Sequence, residues 1–366
     1  MRNQLTNLAT QKSEGDGDIY TIPVVVHILY NTGSQNIDDE RIYSQLNVLN
    51  EDFRRLNPDT SETPSAFENV VADIQVEFCL AIFDPNGDST TGITRTFTDT
   101  TSFGLDNSMK RSNSGGIDAW DADSYLNIWV CNLPSDILGF SSLPGFPEED
   151  DGIVINYRYF GDGFGAISPY NLGRTATHEI GHYLGLSHVW GDDGGSCSGS
   201  DLIPDTPNQA KETYGCPSFP VTDGCSPDNP GIMFMNYMDY TNDGCMNMFT
   251  EGQKTAMRTV LETTRSSLLL SPAGCNDIVP IPGAIAEIFV SPNPTQGGFT
   301  LSVKNFEGSQ LLITVYNSLG QIMAQQSEEP AVVANEYIDL TGSAKGVYIA
   351  TAFNGTYLLS TKFIIL

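Results

Sequence analysis

The sequence predicts an α/β (α+β) layer domain followed by a small all-β sandwich. Three observations carry this expectation. Strand-sized apolar runs alternate with helix-period segments as far as Leu186. Ser187–Asn247 is dense in Gly, Asp, Pro and Cys and reads as irregular structure. Beyond Ser271–Ala286, with Pro272, Pro280 and Pro282, only short β-rich runs remain. In order, Ile22–Tyr30 is a buried strand. Asp38–Arg55 is a helix with Ile42, Leu46, Leu49 and Phe53 on one face, Asp38 as its cap and Asn57-Pro58 as its stop. Ile74–Phe83 is a strand closed by the turn Asp84-Pro85-Asn86-Gly87, and Tyr125–Val130, Gly139–Leu143 and Gly152–Tyr157 are further strands. A long helix spans Asn171–Leu186. Another spans Glu251–Leu270, with Gln253, Met257, Val260 and Leu261 on neighbouring turns. The β-rich runs are Ile288–Val290, Phe299–Val303, Leu311–Tyr316, Tyr337–Leu340, Val347–Phe353 and Tyr357–Ile365. The expected organisation is therefore a polar, disordered leader remnant at 1–18, the layer domain at 19–271, a linker at 272–286 and the β-sandwich at 287–366.

Charge and composition narrow the function. The 366 residues carry a formal charge of −28, which repels phosphate backbones and anionic lipid surfaces, so no nucleic-acid partner is expected. No apolar run approaches the roughly 20 residues of a spanning helix, so no membrane span is expected either. Four of the seven Cys (Cys197, Cys216, Cys225 and Cys245) fall in the irregular segment. Grouping of that kind suggests disulfides and an oxidising compartment, and no CxxC pair points to a structural zinc instead. Met1–Asp18 lacks the apolar core of a signal peptide, so secretion needs support from elsewhere in the chain.

The chemistry is concentrated in Thr177-His178-Glu179-Ile180-Gly181-His182-Tyr183-Leu184-Gly185-Leu186-Ser187-His188. On a helix, His178 and His182 project from one face and can reach a single ion at about 2 Å each. Glu179 stands beside the first ligand, placed to take a proton from a water that the ion acidifies. His188 lies too far on for the same helix. Gly185 tolerates positive φ, so the chain can reverse there and bring His188 back. Three protein ligands leave a position open, as in a catalytic zinc site. Three of the four histidines of the chain are in this motif; the fourth, His27, reads as a structural histidine in a strand. Downstream, Asn236-Tyr237-Met238-Asp239-Tyr240 offers Met238 as a soft floor beneath the imidazoles and Tyr240 as a hydroxyl for an oxyanion.

With these residues in hand, Met1–Leu270 resembles the metzincin clan and, within it, the pappalysin or cytophagalysin family. The resemblance implies a twisted five-stranded mixed sheet with an active-site helix, zinc as cofactor, and endopeptidase activity on protein or peptide substrates. The loop cysteines stand 19, 9 and 20 residues apart. Spacing alone leaves three connectivities open, and the resemblance implies Cys197 with Cys225 and Cys216 with Cys245. It also implies a calcium ion held by Ser200, Asp201, Ile203 and Thr206, with main-chain oxygens from Ser200 and Ile203. Two family features are not carried over. Relatives that cut before Arg or Lys have an Asp placed directly before the last loop cysteine, where this chain has Gly244. No cysteine precedes Cys79 to block the zinc in a proenzyme.

The last 80 or so residues resemble the C-terminal sorting domain of the bacterial type IX secretion system. The features that carry this are Ser291-Pro292-Asn293-Pro294 with Gly298-Phe299, Val315-Tyr316-Asn317-Ser318-Leu319-Gly320, Gly346-Val347-Tyr348 and Lys362-Phe363-Ile364-Ile365. The resemblance implies export across the outer membrane by that machinery, and a secreted or cell-surface location. The alternatives to a secreted zinc endopeptidase are an inactive peptidase-like surface protein used for binding or adhesion, and a zinc hydrolase of non-peptide amides.

Overall fold

The computed structural model describes residues 18–275, 287–304, 311–328, 333–353 and 358–366. The expected leader, apart from Asp18, and most of the expected linker lie outside these residues. The chain divides at Asp277/Ile278 into two compact units.

In the first unit, β1 (Tyr20–Tyr30) is buried from Ile22 to Leu29. An unbroken apolar strand of this kind requires a layer on both faces. One edge of β1 pairs in parallel first with β2 (Val76–Leu80) and then with β3 (Ile93–Phe97). The other edge pairs in parallel with β4 (Leu126–Cys131), which pairs in parallel with β6 (Ile153–Asn156). The row ends at β5 (Gly139–Ser141), antiparallel to β6. The mixed sheet thus has six strands but is five strands wide, because β2 and β3 share one place beside β1.

On one face, Ile22, Val24, Val26 and Ile28 pack against Ile42, Leu46, Leu49 and Phe53 of α1 (Asp39–Phe53). Ala176, Ile180 and Tyr183 of α2 (Arg174–Tyr183) join the same core. The opposite face buries Leu29, Trp129 and Val154 with Phe103, Met109 and Leu133. His27 faces that side as a structural residue. Its ring is fully buried between hydrogen bonds to Thr94 (2.8 Å) and Asn127 (3.0 Å), and burial pushes its pKa down to about 4.

α3 (Glu251–Glu262) opens with a capping box between Thr250 and Gln253. It stops eight residues short of the expected Leu270. Past Thr263 the chain turns so that Arg265 is buried, donating to the Tyr183 carbonyl at the end of α2 (3.0 Å) and pairing with Asp151. Two further expectations are corrected. Asp38 precedes α1 but its side chain makes no cap hydrogen bond. Strand β3 was hidden by the charged Arg95, which pairs with Asp39 at the surface.

The second unit is a sandwich of two antiparallel sheets. One is ordered β10-β9-β12-β13, built from β9 (Leu311–Asn317), β10 (Ile322–Glu328), β12 (Gly346–Phe353) and β13 (Leu358–Ile365). The other is ordered β11-β8-β7, built from β7 (Glu287–Ser291), β8 (Gly298–Lys304) and β11 (Val333–Asp339). Phe299, Leu301, Ile313, Val315, Ala350 and Phe363 lie in its core. β10 was not expected, because Ile322–Glu328 is mostly polar.

Three disulfides are present. Cys197–Cys225 and Cys216–Cys245 are the pairs implied by the family resemblance. The third, Cys79–Cys275, is a pairing that the sequence left open; Cys131, buried in β4, is the unpaired cysteine among the described residues. Cys79–Cys275 spans 196 residues of sequence and ties the chain beyond α3 back to β2. Restricting the unfolded chain over so long a loop stabilises the folded state by about 2–5 kcal/mol. The double variant Cys79→Ser/Cys275→Ser is expected to lose that amount in equilibrium denaturant unfolding. An unchanged midpoint would show that the bridge contributes nothing.

Candidate active site

α2 begins abruptly. Gly173 is left-handed (φ +77°), and the Asp243 carboxylate accepts from the N–H groups of Leu172 (2.8 Å) and Arg174 (3.3 Å), capping the helix from a distant loop. The helix ends in a Schellman arrangement. Gly185, at φ +91°, donates to the His182 carbonyl (2.8 Å), and Leu186 donates to that of Gly181 (2.9 Å). This is the reversal that the sequence required of Gly185, and it returns His188 to the other two histidines.

The three imidazoles converge. Nε2 of His182 lies 3.1 Å from that of His178 and 3.0 Å from that of His188. Each Nδ1 faces an oxygen: the Tyr237 carbonyl for His178 (2.7 Å), the Leu186 carbonyl for His182 (2.8 Å) and the Asp192 carboxylate for His188 (2.8 Å). Those acceptors place the ring protons on Nδ1, so three Nε2 lone pairs point at one another. Burial keeps the rings neutral. His178 is held well below the usual histidine range by burial and by its two neighbours. His182 is lowered to about 4 by burial and by the neighbouring His188 ring, and His188 is lowered by burial. Three neutral nitrogen donors with facing lone pairs are a donor set for one small cation, and their chemistry fits zinc.

Met238 is fully buried against α2 at Gly181. Its turn is held by Asp239 N–H donating to the Asn236 carbonyl (3.0 Å), and by Asn236 and Gln253 exchanging side-chain hydrogen bonds of 2.8 and 3.0 Å. A Cβ at Gly181 would lie 2.3 Å from the Met238 sulfur, so a larger residue there would have to displace the Met238 side chain. Tyr240 directs its hydroxyl at His188 Nε2 (3.0 Å). Burial and the neighbouring Glu179 charge raise its pKa, so it remains a neutral donor.

Glu179 is buried, and burial pushes its pKa up to about 8; a cation on the adjacent imidazoles would lower it again. It lines a cleft of about 340 Å³ together with His178, Tyr240, edge-strand residues Gly139 and Phe140, and the acidic side chains of Asp136, Asp239 and Asp243. Burial raises both Asp239 and Asp243 to about 6.

In the loop after the histidines, Thr206 Oγ1 stands 2.7 Å from an Asp201 carboxylate oxygen and 2.9 Å from the Ile203 carbonyl, so these three come together. The Ser200 hydroxyl instead accepts from Leu202 N–H (3.0 Å).

Several residues that shape the site were missed in the sequence. Trp190 stacks on His188 with centroids 4.2 Å apart and planes 8° off parallel, and Asp192 aims the same ring. Both lie within four residues of His188, which was the available signal. Asp243 stands one residue before Gly244, the position at which the family resemblance placed the acidic residue, and the sequence left its role open. A side chain at Gly244 would meet nothing within 4 Å, whereas Asp243 lines the cleft.

The chain matches the family described as pregnancy-associated plasma protein-A over residues 110–262, and the secretion system C-terminal sorting domain over residues 289–366. It is similar to an extracellular metalloprotease of Arthroderma benhamiae, 33% identical over 239 residues, which is 64% of this chain and 74% of that relative. Mature mirolysin of Tannerella forsythia, solved in complex with a cleaved peptide, is 54% identical, with a TM-score of 0.69 over 69% of this chain and 97% of that one. A promirolysin mutant of the same organism is 51% identical, with a TM-score of 0.69 over 73% of this chain and 91% of that one.

Proposed function

Because the chain belongs to the pappalysin family and is a secreted zinc metalloendopeptidase with a type IX sorting domain, we propose that His178, His182 and His188 hold the zinc and that Glu179 is the general base. The observation that carries this reading is the convergence of three neutral Nε2 atoms beside a buried carboxylate at the head of a cleft. When bound, zinc supplies a Lewis acid that polarises the scissile carbonyl and acidifies the attacking water. Glu179 takes that water's proton and later delivers it to the leaving amine. Tyr240 donates to the oxyanion as charge develops. The substrate adds an extended segment along β5, the strand at the end of the sheet, and so gains main-chain hydrogen bonds before any side chain is read. Catalysis is assigned to the unit ending at Asp277, and export to the unit beyond 287.

The loop holding Asp201, Ile203 and Thr206, with the Ser200 main-chain oxygen, is proposed to bind calcium. A buried carboxylate and a main-chain carbonyl, each within 2.9 Å of the Thr206 hydroxyl, form an all-oxygen set suited to a hard cation.

The acidic cleft favours a basic P1′ side chain. Mapping cleavage products on a peptide library tests both function and preference. The expected products begin with Arg or Lys. Asp243→Asn keeps an amide oxygen to cap α2 but removes the charge, so it is expected to lower the ratio of kcat/KM for P1′ Arg over P1′ Leu by about 10-fold, the worth of roughly 1.4 kcal/mol. A library left uncut sinks the peptidase reading; an unchanged ratio in Asp243→Asn sinks only the assigned preference.

A further inference from the structure

Beside α2 and the Met238 turn, one buried carboxylate joins three elements. Asp52, near the end of α1, is 3% exposed. One of its oxygens accepts from the Tyr237 hydroxyl (2.7 Å) and the other from the Thr177 hydroxyl (2.7 Å). The Arg174 guanidinium lies 3.6 Å away, and that same group also binds both oxygens of Asp59 (2.6 and 2.7 Å) and the Asp243 carbonyl (2.6 Å). Thr177 immediately precedes His178 on α2. Tyr237 immediately precedes Met238, and it is the Tyr237 carbonyl that receives the His178 Nδ1–H at 2.7 Å.

A carboxylate withdrawn from water is costly unless its oxygens are satisfied. Here both are satisfied by donors from separate elements, so what Asp52 gains is directional. The Tyr237 hydroxyl fixes the residue whose carbonyl aims the His178 ring. The Thr177 hydroxyl fixes the turn of helix from which His178 and Glu179 project. An apolar residue at position 52 would fill the volume without fixing either. The partners lie 125 and 185 residues away in sequence, so no local rule places them.

We propose that Asp52 is a positioning residue of the metal site, acting through Tyr237 and Thr177 to set the orientation of His178 and the register of Glu179. The proposal rests on the reading that His178 is a zinc ligand, and partners of ligating histidines of this kind are worth about 10–100-fold in metal affinity or activity.

The test uses the full chain, with zinc affinity measured by competition against a chromophoric chelator and with kcat and KM measured separately on one peptide at saturating zinc. Tyr237→Phe and Thr177→Val keep the Asp52–Arg174 pair and report even if Asp52→Asn does not fold. Tyr237→Phe is expected to weaken zinc binding about 10–100-fold and to lower kcat with KM unchanged. Thr177→Val is expected to lower kcat at constant KM. The double variant Asp52→Ala/Tyr237→Phe is expected to be no worse than Asp52→Ala alone, because Asp52→Ala already removes the bond that Tyr237→Phe deletes. Zinc affinity and kcat within two-fold of the parent in both Tyr237→Phe and Thr177→Val, with only the melting temperature lowered, would overturn the proposal and leave Asp52 as a folding residue. His182→Ala, which touches none of these bonds, examines the underlying reading: if it retains its zinc, the ligand assignment falls first and this proposal with it.

Discussion

Replacing Glu179 by Ala is expected to lower kcat/KM on a peptide substrate by about 10²–10⁴-fold while the protein keeps its zinc. The expectation follows from what the substitution leaves in place. The three imidazoles are aimed by the Tyr237 carbonyl, the Leu186 carbonyl and Asp192, and none of these contacts involves Glu179. Its side chain instead lies in the cleft against Gly139 of the edge strand, where a Cβ on the glycine would come within 3.1 Å of the Glu179 Cγ. Removing it deletes the proton acceptor and the later proton donor but no ligand. Glu179→Gln, which keeps the volume, is expected to fail to the same extent, which separates basicity from packing. Zinc content and single-turnover cleavage measured on the same sample decide the matter: a metal-replete Glu179→Ala that cleaves like the parent removes Glu179 from the mechanism.

Metal removal is the second large effect. With every Nδ1–H committed to an oxygen, the His182 Nε2 lone pair faces those of His178 and His188 at 3.1 and 3.0 Å, and the three repel one another unless a cation neutralises them. A zinc chelator is expected to abolish cleavage and zinc to restore it, and His182→Ala is expected to be inactive at any zinc concentration. The fold responds as well. At free zinc one hundred times its Kd, binding stabilises the folded state by about 2.7 kcal/mol, and the melting temperature should fall when that zinc is withdrawn. A chelator selective for calcium should leave the zinc in place and lower the melting temperature through the Asp201 loop. Activity that survives the zinc chelator would sink the zinc mechanism, and a melt indifferent to calcium would sink the loop assignment.

Much of this was legible in the chain because the governing signals are local. The pitch of α2 puts His178 and His182 on one face, and Gly185, between His182 and His188, can reverse the chain at positive φ. The alternation of apolar and turn residues likewise marked most strands of both units. What escaped was non-local or masked by polarity. β3 and β10 carry too much charge or polarity to read as strands alone and exist because a neighbour offers an edge. Asp243 caps α2 from a loop some 70 residues downstream, and no periodicity encodes that. The Asp52 carboxylate is similar: within its own helix it is one more polar residue, and only folding brings Thr177 and Tyr237 to it. The Cys79–Cys275 bridge was out of reach for the same reason, since its ends lie 196 residues apart in sequence.

That bridge also bears on what happens when a secreted endopeptidase is itself cut. A single cut anywhere between residues 79 and 275 leaves both pieces covalently joined, with two shorter loops inside the span sealed again by Cys197–Cys225 and Cys216–Cys245. Nicked molecules would run as fragments on a reducing gel and as one band without reductant. The histidines and Glu179 all lie within this covalent ring, so damage to its exposed turns does not by itself set the catalytic pieces adrift.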